Sequence, residues 1–115
     1  MQIHLKRVYD GPGSKDGVRV LVDRVWPRGV SKDEARVDRW MKDLAPSTEL
    51  RKWFGHDPDR WAGFRERYFR ELDRRPEAVE ALRELGTGRR VTLVFGARDR
   101  QRNNAVALKE YLQRR

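Results

Sequence analysis

Two short segments of this chain set carboxylates beside guanidinium groups next to chain-breaking residues. One is Asp23-Arg24-Val25-Trp26-Pro27-Arg28-Gly29, and the other is Gly96-Ala97-Arg98-Asp99-Arg100-Gln101-Arg102-Asn103. An aspartate can take a proton, attack an electrophile or hold Mg2+, while an arginine presents a planar fork to phosphate or carboxylate oxygens. Asp23 and Asp99 are therefore the candidate catalytic acids, and Arg24, Arg28 and Arg98 the candidate clamp for an anion. The competing reading is structural: both acids pair with Arg24, Arg28 or Arg98 and tie their loops down. Trp26 and Trp40 offer faces for stacking on a planar ligand, although large aromatics more often serve the core.

The other residue types narrow the chemistry. No cysteine is present, which removes disulfides, thiol nucleophiles and thiolate metal centres. His4 and His56 are the only histidines and match no metal-ligand spacing, so no metal site is expected. His56 precedes the capping residue Asp57 and reads as a loop or capping group rather than a proton carrier. Ser47 reads as a helix N-cap, because nothing in the sequence sets a base beside it. The glycines fit neither the dinucleotide fingerprint nor the P-loop, and no cofactor is identified.

The elements that must position these groups follow from periodicity. Ile3 to Tyr9 alternates apolar and polar residues, as in a half-exposed strand near a sheet edge. The eight-residue loop Asp10 to Gly17 is too short for a helical crossover, so the following strand, Val18 to Val25, pairs antiparallel or lies elsewhere in the sheet. That strand carries apolar residues on both faces. Ser31 to Glu34 fits a capping box, and Arg36 to Met41 is ambiguous between strand and helix. Ser47 opens a helix that runs to about Phe54 and stops at Gly55. Asp57-Pro58 starts another, in which Trp61, Phe64, Tyr68 and Leu72 recur at helical spacing. A further helix opens at Pro76 and ends at Gly86. Val91 to Phe95 is continuously apolar, as a central strand is, and a last helix begins at about Asn103.

This order predicts a single α/β domain over residues 1–115, with a small mixed sheet of three or four strands flanked by helices. In open α/β sheets ligands bind beyond the carboxyl ends of the strands. The two charged segments both fall there, so they are expected to share one cleft. With 115 residues one core is large enough to fold alone, and four Trp, four Phe and three Tyr fill it. No apolar run is long enough to span a bilayer and the start lacks a leader pattern, so a cytoplasmic protein without a membrane partner is expected.

Charge leaves a second class of function open. The formal net charge is +9. Residues 83–115 hold nine basic and three acidic groups, net +6, so most of the excess is local. Such a field steers small anions and also attracts nucleic acid, although no recognition helix or aromatic RNA-binding stripe accompanies it. The leading expectation is a pocket for a small anionic metabolite, with or without turnover. The alternative is a nucleic-acid-binding or regulatory protein using the basic C-terminal third. A partner-binding module is a blander third option, and nothing in the sequence specifies an oligomeric state.

The strings KRVYD at Lys6, LVDRVWPRG at Leu21, WMKDLAPSTELRKWFGHDP at Trp40, RYFREL at Arg67, VTLVFGARD at Val91 and NNAVALKEYL at Asn103 resemble the DUF488 family, in its YeaO-like branch. The resemblance spans nearly the whole chain. It implies a bacterial cytoplasmic α/β protein of unassigned reaction. It directs attention to Asp23, Arg24, Trp26, Arg28, Asp99 and Asn103, and adds Lys42, Ser47 and Arg51 as ligand-binding candidates. Where many members carry a histidine before the last-motif asparagine, this chain has Arg102.

Overall fold

The apolar run near the C-terminus takes the most buried place in the sheet. In the computed structural model, which describes residues 1–114, β4 (Arg90–Phe95) lies between β1 (Gln2–Arg7) and β2 (Val18–Leu21). A two-residue strand, β3 (Arg39–Trp40), pairs with the outer side of β2. The α/β class and four-stranded size match expectation, but every pairing is parallel, where a mixed sheet was expected. The physical reason lies in the loop after β1. Ten residues, Val8 to Gly17, reach roughly 33 Å when extended and return the chain to the starting end of the sheet. They leave one strand's width between β1 and β2, which β4 later fills.

Side chains alternate across β4. Val91, Leu93 and Phe95 join the main core, together with Val20 and Val22, the buried faces of α2 (Thr48–Phe54), α3 (Trp61–Asp73) and α4 (Pro76–Leu85), and α5 (Asn104–Gln113). Leu21 and Val94 face the other way, into a smaller cluster with Val8 and Ala35 of the short helix α1 (Lys32–Ala35). Trp26, Val30, Val37 and Trp40 pack around it. β2 is thus buried on both faces, but it ends four residues earlier than expected. Val25 is 58% exposed, because the chain turns away after Val22, whose N–H still bonds the Val94 carbonyl. Tyr9 likewise falls outside β1, on a 3-10 turn, and is 45% exposed.

The smaller face contains the one deeply buried arginine among the described residues. Arg19 is only 4% exposed and donates to the Ala35 and Arg36 carbonyls and to Asp16 Oδ2, the last at 2.7 Å. Asp16 also accepts from Lys6 and from the Gly13 N–H. Burial alone would raise the Asp16 pKa, but the Gly13 amide, Arg19 and Lys6 outweigh it and hold the carboxyl below the usual aspartate range. A depressed folded-state pKa gives stabilisation that is complete above the unfolded value, roughly pH 4, and is lost as pH falls through the folded value. Acid titration of stability should therefore show a decline below about pH 4 that is shallower in Asp16→Asn. An unchanged acid branch in that variant would remove Asp16 from the account.

The helices begin and stop on the residues expected of them. Ser47 Oγ accepts from the Leu50 N–H, and Gly55 ends α2 in the left-handed region at φ 53°. Asp57 caps a 3-10 turn at Pro58–Arg60 that runs on into α3. Asn103 caps α5 through a bond from the Val106 N–H at 2.9 Å. Within the ambiguous stretch 36–41 only Arg39–Trp40 form a strand, β3, and Arg36 lies in the left-handed region at φ 47°. No described helix is long and apolar enough to cross a membrane.

Candidate functional site

Because β2 and β4 are neighbours and parallel, their carboxyl ends lie side by side, and the two charged segments leave the sheet together. Asp23 fastens one to the other. Its Oδ2 accepts from the Gly96 N–H at 2.9 Å, and its Oδ1 accepts from Asn104 Nδ2 at 3.1 Å. The same amide group donates to the Val22 carbonyl at 3.0 Å. The absence of a side chain at Gly96 matters here, since a Cβ would lie 3.0 Å from Asp23 Oδ2. Burial pushes the Asp23 carboxyl above the usual aspartate range; the bonds from Asn104 and Gly96 and the nearby charge of Arg51 offset only part of this.

Beyond this junction opens a cavity of about 350 Å3, at the small end of the range for metabolite sites. Its apolar walls include Trp26, Pro27, Pro46, Phe54 and Phe64, and its polar lining includes Asp23, Arg28, Arg51, His56 and Asn104. The Pro46 wall is held from several sides. Arg24 donates to the Pro46 and Ala45 carbonyls at 3.1 and 3.3 Å, and Arg75 to those of Asp43 and Ala45, both at 2.7 Å. The buried Tyr68 hydroxyl donates to the Leu44 carbonyl, and burial raises its pKa so that it remains a donor. Glu71 takes the Ser47 N–H and hydroxyl at 2.8 and 2.6 Å. The Trp26 indole donates to the Val30 carbonyl, and Trp40, behind it and outside the cavity lining, donates to that of Asp23, with the rings edge to face at 5.3 Å.

The candidates named from the sequence divide accordingly. Asp23, Arg24, Trp26, Arg28, Arg51 and Asn103 line the cavity. Of these, Arg24 is committed to the 45–46 carbonyls, and Asn103, 2% exposed, is committed to capping and to the Asp99 carbonyl. Arg28 and Arg51 are in no ion pair among the described residues. Asp99, Arg98, Lys42 and Ser47 are not brought into the cavity. Asp99 accepts from the Gln101 and Arg102 N–H groups, and these bonds hold its carboxyl below the usual range. Its ion pair is with Arg102, not with Arg98. Arg98 is exposed. The Lys42 ammonium rests over the Trp40 ring at 4.1 Å and borders a separate groove with Arg39 and Glu77. Ser47 spends its hydroxyl on Glu71 and the cap of α2.

Four contributors escaped sequence reasoning. Asn104 holds Asp23; its signal was the Asn-Asn doublet, in which one asparagine suffices as cap and the second is left over. Phe54 and Phe64 read from the sequence as packing residues, and they do more than pack: their rings stack at 4.5 Å in the core while lining the cavity. His56 does not cap. Two successive left-handed residues, Gly55 and His56 (φ 57°), bring it to the cavity, and among the described residues its imidazole has no hydrogen-bond partner. Among the described residues no three His, Asp or Glu side chains converge as a metal-ligand set. Several of the described C-terminal cations have partners within the fold. Arg100, Arg102 and Arg114 pair with Asp10, Asp99 and Asp73, and Arg83 and Arg90 donate to the Leu112 and Lys15 carbonyls.

Comparison with known proteins adds the family context. Residues 2–115 match the family described as the inactive DUF488-N3 subclade. The chain is 40% identical over 113 residues to the uncharacterized protein YeaO of Escherichia coli strain K12, with 98% of each chain covered. It is 45% identical over 115 residues to the uncharacterized proteins Mb3100c of Mycobacterium bovis and Rv3073c of Mycobacterium tuberculosis strain H37Rv, covering 99% of this chain and 96% of theirs. No solved structure matches the chain at a significant level.

Proposed function

Since the chain belongs to the DUF488 family, in the subclade described as inactive, we propose that it acts by binding and not by turnover, holding a small organic anion beyond the ends of β2 and β4. The observation that carries this reading is the pair of guanidinium groups, Arg28 and Arg51. They line a largely apolar cavity and are not engaged by any carboxylate of the described residues. A guanidinium beside an apolar wall matches a ligand with a carboxylate or phosphate at one end and a hydrophobic body at the other.

The acids favour binding over catalysis. Asp99 is spent on backbone amides outside the cavity, and Asp23 accepts from the Gly96 N–H after β4 and from the Asn104 side-chain amide at the start of α5, tying strand end and helix together. Asp23 is the one carboxylate among the residues that line the cavity, so the lining holds no carboxylate pair for acid–base work. The protein is expected to bind at least one member of a panel of aromatic and aliphatic carboxylates, sugar phosphates and inorganic phosphate, measured by calorimetry at low salt. In Arg51→Ala that affinity should fall about ten- to hundredfold, the worth of a charge-assisted hydrogen bond. Unchanged affinity in Arg51→Ala, or no binding by any anion, would overturn the reading.

A further inference from the structure

Resting on the anion-binding reading, we infer that the ligand is a zwitterion, a free α-amino acid with an apolar or aromatic side chain. Its carboxylate lies on Arg51, its ammonium on Asp23 and its side chain among Trp26, Phe54 and Phe64. The argument begins with a conflict inside the cavity. Asp23 is the one carboxylate among its lining residues, and it stands near enough to Arg51 to feel its charge, yet the two are not within ion-pair distance. A plain anion bound to the exposed Arg51 would therefore sit near a second negative charge, that of the half-buried Asp23, and be repelled by it. A cation placed between them removes the repulsion and gives Asp23 the partner it lacks.

Asp23 has room for such a partner. Each of its oxygens accepts one hydrogen bond from the protein, and an ionised carboxylate has about four acceptor positions. Asn104 adds another acceptor at the same place: its Nδ2 is used on Asp23 and Val22, and among the described residues nothing donates to its Oδ1. An ammonium, with three donors and no acceptor, suits two neighbouring oxygens better than a hydroxyl or a water does. An α-amino acid carries its two charges one carbon apart, which meets the need for opposite charges side by side. The cavity of about 350 Å3 is also small enough to favour a ligand of that size over a nucleotide.

Calorimetric titration of the full chain with free amino acids, each matched to its deaminated acid and its decarboxylated amine, tests the inference. Phenylalanine, 3-phenylpropanoate and 2-phenylethylamine form one such triad, and leucine, 4-methylpentanoate and 3-methylbutylamine another. In at least one triad the amino acid should bind about ten- to hundredfold more tightly than either partial analogue, since each lacks one charge-assisted contact. Asp23→Asn should abolish the advantage of the amino acid over its deaminated acid. The analogue comparison on the unaltered protein decides the matter even where that variant folds poorly. Equal binding by the amino acid and its deaminated acid, or binding of carboxylates or phosphate with no amino acid bound, overturns the zwitterion and leaves the anion site standing. No binding by any of these or by phosphate overturns both.

Discussion

Gly17→Ala is expected to destabilise the protein by about 3–5 kcal/mol, combining a left-handed backbone penalty with overpacking. Gly17 has φ 67°, a conformation that any Cβ disfavours. A methyl group there would lie 2.2 Å from the Arg90 carbonyl oxygen and 2.9 Å from its carbon. Neither atom can yield alone. Arg90 is the first residue of β4 and pairs with Gln2, while the next residue of each segment, Val18 and Val91, are partners in the ladder. Gly88 provides the control. It shares the left-handed conformation, at φ 68°, but nothing lies within 4 Å of where its Cβ would be. Gly88→Ala should cost only the backbone penalty, about 1–2 kcal/mol. Denaturant midpoints with unchanged slope would report both, and a loss under about 1 kcal/mol for Gly17→Ala would contradict this account.

Arg19→Met is expected to cost about 3–5 kcal/mol, the usual consequence of removing one partner of a buried ion pair. The substitution retains the apolar stem but strips the Ala35 and Arg36 carbonyls and Asp16 of their donors. Asp16 would keep Lys6 and the Gly13 N–H, so part of its charge stays compensated. The double variant Arg19→Met with Asp16→Asn should therefore recover some of the loss, because the carboxylate that Arg19 neutralised is removed with it, although Lys6 then loses its partner. Strict additivity of the two substitutions would show that the pair is not coupled.

Much of this architecture was legible from local chemistry. Helix ends at Ser47, Gly55, Asp57-Pro58, Pro76 and Asn103 were readable because capping depends on a few adjacent residues. The central position of Val91 to Phe95 followed from an unbroken apolar run. Sheet polarity was harder, since it depends on where β4, seventy residues later, is inserted beside β2. The same limit divided the candidate site. Asp23 and Gly96 could be brought together by the general rule for strand ends. Which arginines remain available could not, because that depends on carbonyls such as those of Ala45 and Pro46 claiming Arg24. Asp99 looked like an equal of Asp23 in composition. The difference is one of backbone direction: the turn after Ala97 feeds its carboxylate with its own neighbours' N–H groups.

The place of β4 in the sheet also governs how the chain comes into being during synthesis. β1, β2 and β3 leave the ribosome first but have no complete sheet to join, because the strand that separates β1 from β2 begins only at Arg90. Until that point the nascent polypeptide exposes unsatisfied strand edges and the apolar faces of α2, α3 and α4, so it is a substrate for chaperones and proteases. A chain that stops short of Arg90 thus lacks the strand that joins β1 to β2, and its two halves of the sheet have nothing to pair across.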